Sequence, residues 1–287
     1  MKVLFIKSNT HHKNLHFILN CKKIDFVIIS SVNEMNQIDV NLFHVIISPC
    51  EPIVVSKYPN CKFIFGPHFS VFPENTLMQI KGNNSLYNSL SDWVVELWKS
   101  FPICNDLKIV ALPFGIDTLR FNKQKEMKDR NKIMVYFKHR NPKELHMICS
   151  FLKYKHLEYK VFSYDNRYNE EEYIDYLHNA KFGIWIDAHE SQGFALQECL
   201  SCDVPLLVWN VTTMEQEHGS NYPHIKATTI PYWDNLCGNV FYQIAELEDA
   251  YNHFITNIEN YRPRDFIKNH LSIEVCENKW IDFIENM

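Results

Sequence analysis

Glu190 and Glu198 stand eight positions apart in Trp185–Cys202, WIDAHESQGFALQECLSC, with Gly193 and Phe194 between them. Phe182–Ile186 reads as a buried strand running into the polar turn Asp187–Gly193. A helix of about ten residues follows, with Phe194, Leu196 and Leu200 at its apolar positions. Gly193 removes a side chain where the helix's first amides lack intrahelical partners. Glu190 precedes that helix, and Glu198 lies about two turns inside it. No second carboxylate in the motif turn is expected to act with Glu190. Strand, tight turn and helix N-terminus together make an anion and polyol site at the carboxyl end of a sheet.

A second set of reactive types follows the strand Ile133–Phe137. Lys138, Arg140 and Lys143 place three cations within six residues, a spacing that suits a phosphate better than a sugar. A solvated basic helix start is the plainer alternative. His68 ends another strand at Gly66-Pro67-His68, where cleft residues occur, although a simple strand-end turn accounts for Gly-Pro equally well. His11, His12 and His16 lack a paired carboxylate and read as surface or cleft histidines. Cys199 and Cys202 have no second matching pair and read as structural thiols.

The pair Glu190 and Glu198, with Gly193-Phe194 between and the strand Pro205–Trp209 after, resembles the E-x7-E motif of retaining GT-B glycosyltransferases of the family 4 type. Pro113-Phe114-Gly115-Ile116-Asp117 is similar to the segment that ends the first domain in that family. The resemblance implies an α/β, GT-B-like fold, two doubly wound Rossmann-like domains facing a central cleft. It implies transfer of a sugar from a UDP- or GDP-linked donor to a glycan, lipid or protein acceptor, with retention and without a metal or other cofactor. In that reading Glu190 stabilises charge at the anomeric carbon, while Glu198 accepts two ribose hydroxyls. Arg140 and Lys138 or Lys143 neutralise the leaving diphosphate. Ser191, Gln192, Gly193 and Phe194 present backbone amides to the donor, and His189 and His68 line the sugar or acceptor side. His189 reads equally as a packed neutral histidine, Glu190 as a helix-capping residue and Glu198 as part of a solvated helix face. The family's glycine-rich loop after the first strand is replaced here by Ser8-Asn9-Thr10-His11-His12. That departure supports the alternative of an inactive GT-B-like module partnering another transferase.

Composition narrows the classes. Apolar residues make up 46 % of 287 and aromatics 14 %, which is globular and long enough for two cores. A net charge of -5 argues against a general nucleic-acid binder. Nine scattered cysteines suggest reduced thiols and a cytoplasmic protein. The first strand is too short for a signal peptide, and no window is apolar enough to span a bilayer, which leaves room for peripheral membrane contact. Without a Gly-x-Gly-x-x-Gly turn, a dinucleotide-dependent oxidoreductase is excluded. Oligomeric state is not legible.

The elements that must position these groups alternate strand and helix. Lys2–Ile6, Phe26–Ile29, Phe43–Ile47, Lys62–Phe65 and Ile109–Leu112 read as strands apolar on both faces, as in covered parallel sheets. Leu15–Leu19 belongs to a helix, and Ser85–Trp98 has helical spacing throughout. The segments Ser31–Asp39 and Glu51–Pro59 are short for full crossover helices. The polar run Asn122–Lys132 marks the boundary between an N-terminal, acceptor-side domain over 1–122 and a nucleotide-sugar domain over 123–262, with a helix over 263–287 returning to the first. In the second half, Ile133–Phe137, Tyr159–Phe162, Phe182–Ile186 and Pro205–Trp209 are strands, and Pro142–Tyr154, Glu170–Asn179 and Phe194–Ser201 are helices. Lys226–Ile230 reads as an edge strand. Val240–Tyr261 and Asp265–Met287 read as helical, broken near Arg262-Pro263-Arg264.

Overall fold

A four-residue apolar run such as Val3–Ile6 behind Lys2 can be buried only if both faces of its strand are covered. In the computed structural model, which describes residues 1–287, Val3, Leu4, Phe5 and Ile6 are all buried. Chain order begins with β1 (Lys2–Ile6), α1 (His12–Asn20), β2 (Asp25–Ile29), β3 (Val45–Ser48) and β4 (Phe63–Phe65). It continues with α2 (Leu77–Ile80), β5 (Ser85–Asn88), α3 (Asp92–Lys99) and β6 (Lys108–Val110). These strands form one parallel sheet in the order β2-β1-β3-β4-β5-β6. The crossovers that the sequence marks as short hold only 3-10 segments of one or two turns, Val32–Gln37, Val40–Leu42 and Val55–Lys57.

The second sheet is built from β7 (Lys132–Lys138), α4 (Pro142–Tyr154), β8 (Lys160–Ser163), α5 (Glu170–Leu177), β9 (Ala180–Asp187), α6 (Phe194–Ser201), β10 (Leu206–Trp209) and β11 (Gly238–Phe241). Its order is β8-β7-β9-β10-β11, again all parallel. Then come α7 (Leu247–Thr256) and α8 (Pro263–His270). Alternation assigns the faces. Ile133, Val135 and Phe137 pack with Phe182, Ile184 and Ile186 in one core, together with Ile148 and Leu152 of α4 and Phe254 of α7. On the other face Tyr136 stacks on Trp185 at 3.9 Å. The last helix, α9 (Ile273–Glu285), belongs with the first sheet. One unit is therefore Met1–Gly115 with Leu271–Met287, and the other is Ile116–His270.

Unit 1 holds α9 through buried groups. Glu277 is 2 % exposed and its Oε1 accepts from the amides of Lys23 at 2.5 Å and Ile24 at 3.0 Å. The Trp280 indole donates to the Pro113 carbonyl at 3.0 Å and lies against Phe114 and Phe17. Gly115 permits the close pass, because a Cβ there would stand 2.4 Å from the Ile273 Cα.

Three sequence expectations are corrected. Ser85–Trp98 is not one helix: Leu86 and Tyr87 are buried in β5, and Leu90 takes a φ of 68°, which stops any helix before α3. Asn88 fixes that turn, its side chain bonding the backbones of Leu90 and Leu112. Lys226–Ile230 makes only one antiparallel bridge, Thr213 to Lys226, and β11 takes the sheet edge instead, so Val240–Tyr261 begins as strand. The break expected near Arg262-Pro263-Arg264 is present at Tyr261-Arg262, just before Pro263 starts α8, where a missing N–H costs nothing, but Asp265–Met287 is not one helix and is interrupted again at Leu271-Ser272.

Candidate functional site

In unit 2 the chain leaves β7 toward β8 on one side and leaves β9 toward β10 on the other. The crevice at the carboxyl ends of β7 and β9 is thus the sheet's topological switch point, where doubly wound sheets take ligands. Lys138 ends β7 and Asp187 ends β9, paired in register two residues beyond the Tyr136–Trp185 stack and on the same face. The Ala188 amide donates to the Lys138 carbonyl at 3.2 Å and to Asp187 Oδ1 at 2.8 Å. The turn is held from the other side by Thr229, whose hydroxyl donates to the carbonyls of Asp187 and Ala188. The Glu190 amide donates to the Thr228 carbonyl at 3.0 Å.

These bonds bring Glu190 back over the strand ends, where the Lys138 ammonium donates to its carboxylate. Both side chains are mostly buried, at 19 % and 17 % exposure. Burial opposes charge on Lys138, but Glu190 and then Asp187 outweigh it and hold the ammonium above the ordinary lysine range. Burial likewise opposes charge on Glu190, and Lys138, with a hydrogen bond from Asp187, brings its pKa below the usual value. Asp187 is 1 % exposed. Its burial, and the neighbouring Glu190 charge, push its carboxyl well above the usual range despite Lys138. The cluster therefore sets one ammonium against two carboxyl groups, of which Asp187 is the more readily protonated and Glu190 the more readily ionised. Tyr164 lies beneath the cation, with Lys138 Nζ 4.8 Å from its ring centre.

Asp187 corrects the expectation that no second carboxylate works with Glu190. Its signal was present, since a residue that ends a strand in parallel register with Lys138 must share that lysine's face. The register itself is not written in residue types. Tyr164, Thr228 and Thr229 were also missed, because each reaches the turn from a distant segment.

Beyond Glu190 the chain reaches α6. Ser191 is exposed, whereas Gln192 is 1 % exposed and exchanges bonds with Gln197: its Nε2 donates to Gln197 Oε1, and its carbonyl accepts from Gln197 Nε2. Gly193 caps the helix with a φ of 84°, a left-handed geometry that favours glycine. Phe194 is half-buried at the first helical position. The helix has eight residues, and Glu198 sits on its fifth, at 4 % exposure. Its charge adds to the burial that holds the Tyr168 and Tyr173 phenols above their usual range.

Arg140 is 1 % exposed and faces inward. Its Nε and Nη2 donate to the two Glu144 oxygens at 2.9 and 2.7 Å, and Nη1 donates to the carbonyls of Asp187 and Trp209. It ties the start of α4 to the ends of β9 and β10, directly behind the cluster. Lys143 is exposed in the first turn of α4. His189 is half-buried, 3.4 Å from Glu217 and edge-on to Tyr222, with burial lowering its pKa. In unit 1, His68 follows β4, and its Nε2 is 2.8 Å from Asn14 Nδ2. No group of three or more histidine, cysteine, aspartate or glutamate side chains is placed to hold a metal ion.

No family model matches the chain, and no curated protein matches it. Solved structures do. A chain of the GtfA/B complex is similar over 88 % of this chain and 58 % of its own, at 13 % identity and a TM-score of 0.54. The fold is GT-B-like. This chain thus spans under two thirds of the length of that structure. Sucrose-phosphate synthase from Thermosynechococcus elongatus is similar over 85 % of this chain and 73 % of its own, at 10 % identity and a TM-score of 0.50. The two doubly wound, Rossmann-like sheets of this chain are the shared feature. No helix is long and apolar enough to cross a membrane.

Proposed function

We propose that the protein is a retaining, metal-independent glycosyltransferase that takes a nucleoside diphosphate sugar, UDP- or GDP-linked, and passes the sugar to a glycan, lipid or protein acceptor. The observation that carries this reading is the Lys138–Glu190–Asp187 cluster at the β7/β9 switch point, immediately before α6. In the reaction the bond from the anomeric carbon to the diphosphate oxygen breaks. A bond to the acceptor oxygen forms, and the acceptor proton passes to the leaving diphosphate. Glu190, ionised and fixed, stabilises positive charge growing at the anomeric carbon without bonding to it. Lys138 supplies a cation beside the leaving diphosphate, and exposed Lys143 a second. Arg140 positions the strand ends through Glu144 and two carbonyls. Glu198 takes the ribose hydroxyls. The leaving phosphate guides the acceptor to the same face of the sugar, which gives retention.

The test is a panel of nucleotide sugars scanned for thermal stabilisation, followed by product analysis with the best binder. An alpha-linked donor should give an alpha-linked product by NMR, and a beta-linked product would sink the retaining assignment. Glu190→Gln should lower kcat more than nucleotide affinity. Glu198→Ala should weaken nucleotide binding in calorimetry through two lost hydrogen bonds of about 1.5–3 kcal/mol each. Activity should survive excess EDTA. A second reading, a GT-B-like module that assists another transferase, is favoured by the inward-facing Arg140. Nucleotide binding without turnover on any acceptor would select it.

A further inference from the structure

Unit 2 has a concavity at the other end of its sheet. Lys132 opens β7 and Lys160 opens β8, so the amino ends of these strands lie about 20 Å from the Lys138 cluster along a seven-residue strand. Between them is an open pocket of about 760 Å³, within the range of small-molecule sites. Lys125, Lys132 and Lys160 line it, coming from three separate segments. Two of the ammonium groups share one aromatic ring. Lys132 Nζ is 4.9 Å and Lys160 Nζ 5.9 Å from the centre of Tyr176, whose hydroxyl is anchored on the Ile133 carbonyl at 2.9 Å.

The charges in this pocket are unevenly matched. Lys160 pairs with Glu172, whereas Lys125 bonds only the neutral amide of Asn179, and Lys132 has the ring and no carboxylate. Asp175 is the one other acid in the lining. Outside the lining, Arg130 is 3 % exposed, its Nη2 has no hydrogen-bond partner, and its charge reaches the pocket residue His178. His178 Nε2 is itself buried without a partner. An anion seated between Lys125 and Lys132 would relieve the repulsion among these lysines. A compact dianion does so better than a single carboxylate, because ammonium groups act on phosphate as point charges.

We propose that this pocket binds a small phosphate-bearing anion, at a site separate from the switch-point crevice and independent of the activity assigned there. The probe is inorganic pyrophosphate, titrated calorimetrically into the whole chain at low salt. Lys132→Glu should weaken binding about tenfold or more and Lys132→Gln severalfold, with far-UV circular dichroism unchanged. Raising the salt should weaken binding to the unsubstituted protein more than to Lys132→Gln. Absence of binding at millimolar pyrophosphate would overturn the proposal. So would binding that ignores both Lys132 substitutions and disappears in Lys138→Ala, since that result places the anion in the switch-point crevice.

Discussion

Removing the Lys138 ammonium would leave Glu190 and Asp187 facing each other at a buried strand end with no cation between them. Lys138→Ala should therefore destabilise unit 2 by about 2–4 kcal/mol, measured as a loss in urea unfolding free energy. The two acids also titrate with opposite signs. Glu190 has a lowered folded pKa, so its contribution is present above its unfolded value of about 4.3 and is lost as pH falls through the folded value. Asp187 has a raised one, so its contribution is present below about pH 3.9 and is lost as pH rises through the folded value. Asp187→Asn keeps a donor for Glu190 and has no proton to release. Its stability should fall less than that of the unsubstituted protein as pH rises above about 3.9, checked by urea midpoints across a pH series. Glu190 and Lys138 were legible as a motif acid and a cation after a strand. Arg140 was legible as a cation but not as an inward-facing one, although Glu144 four residues on, closing the Asn141 capping box, was the available sign. Asp187 was visible at the strand end, but its pairing with Lys138 depended on strand register, which residue types do not carry.

Among the elements, the turn from β9 to α6 is set by Gly193. Gly193→Ala should cost about 1–2 kcal/mol, because an L side chain is strained at that φ. Since Glu190 is reached through the same turn, the variant should also lose nucleotide affinity, which calorimetry would detect alongside thermal unfolding. Elements whose apolar runs are bounded by clear punctuation were readable to the residue: β1, α4 with Pro142 at its start, and α6 behind Gly193. Ser85–Trp98 was not, because Leu86, Leu90 and Trp93 carry a helical period by coincidence and the interruption is a positive φ at a leucine. β11 was hidden for a different reason. Gly238–Phe241 is a four-residue run with no alternation, and only pairing with β10 makes it a strand.

At the scale of the whole molecule, the two sheets repeat one strand order, 2-1-3-4-5, with a sixth strand added in unit 1. No sequence repeat announces this, because covered parallel strands ask only for apolar residues on both faces, not for particular ones. What binds unit 1 together is α9. Trp280 is fully buried against Phe114 and Phe17, so Trp280→Ala should remove about 3–5 kcal/mol from unit 1, read as an earlier unfolding transition in urea.

That return of α9 also sets an order on the ribosome. Unit 2 is continuous in sequence and holds all its strands once His270 has emerged, whereas unit 1 lacks Glu277 and Trp280 until residues 271–287 follow. Its strands, synthesised before unit 2, must wait with Phe17 and Phe114 uncovered by α9 while a complete neighbour forms downstream, against the usual N-terminal-first sequence. A stalled nascent chain with residues up to 270 outside the exit tunnel should resist brief proteolysis across Ile116–His270 and be cut within Met1–Gly115. Release of the remaining residues should then protect both. Chaperones that hold exposed apolar segments would meet unit 1 as Met1–Gly115 emerges, and let go only once α9 has followed.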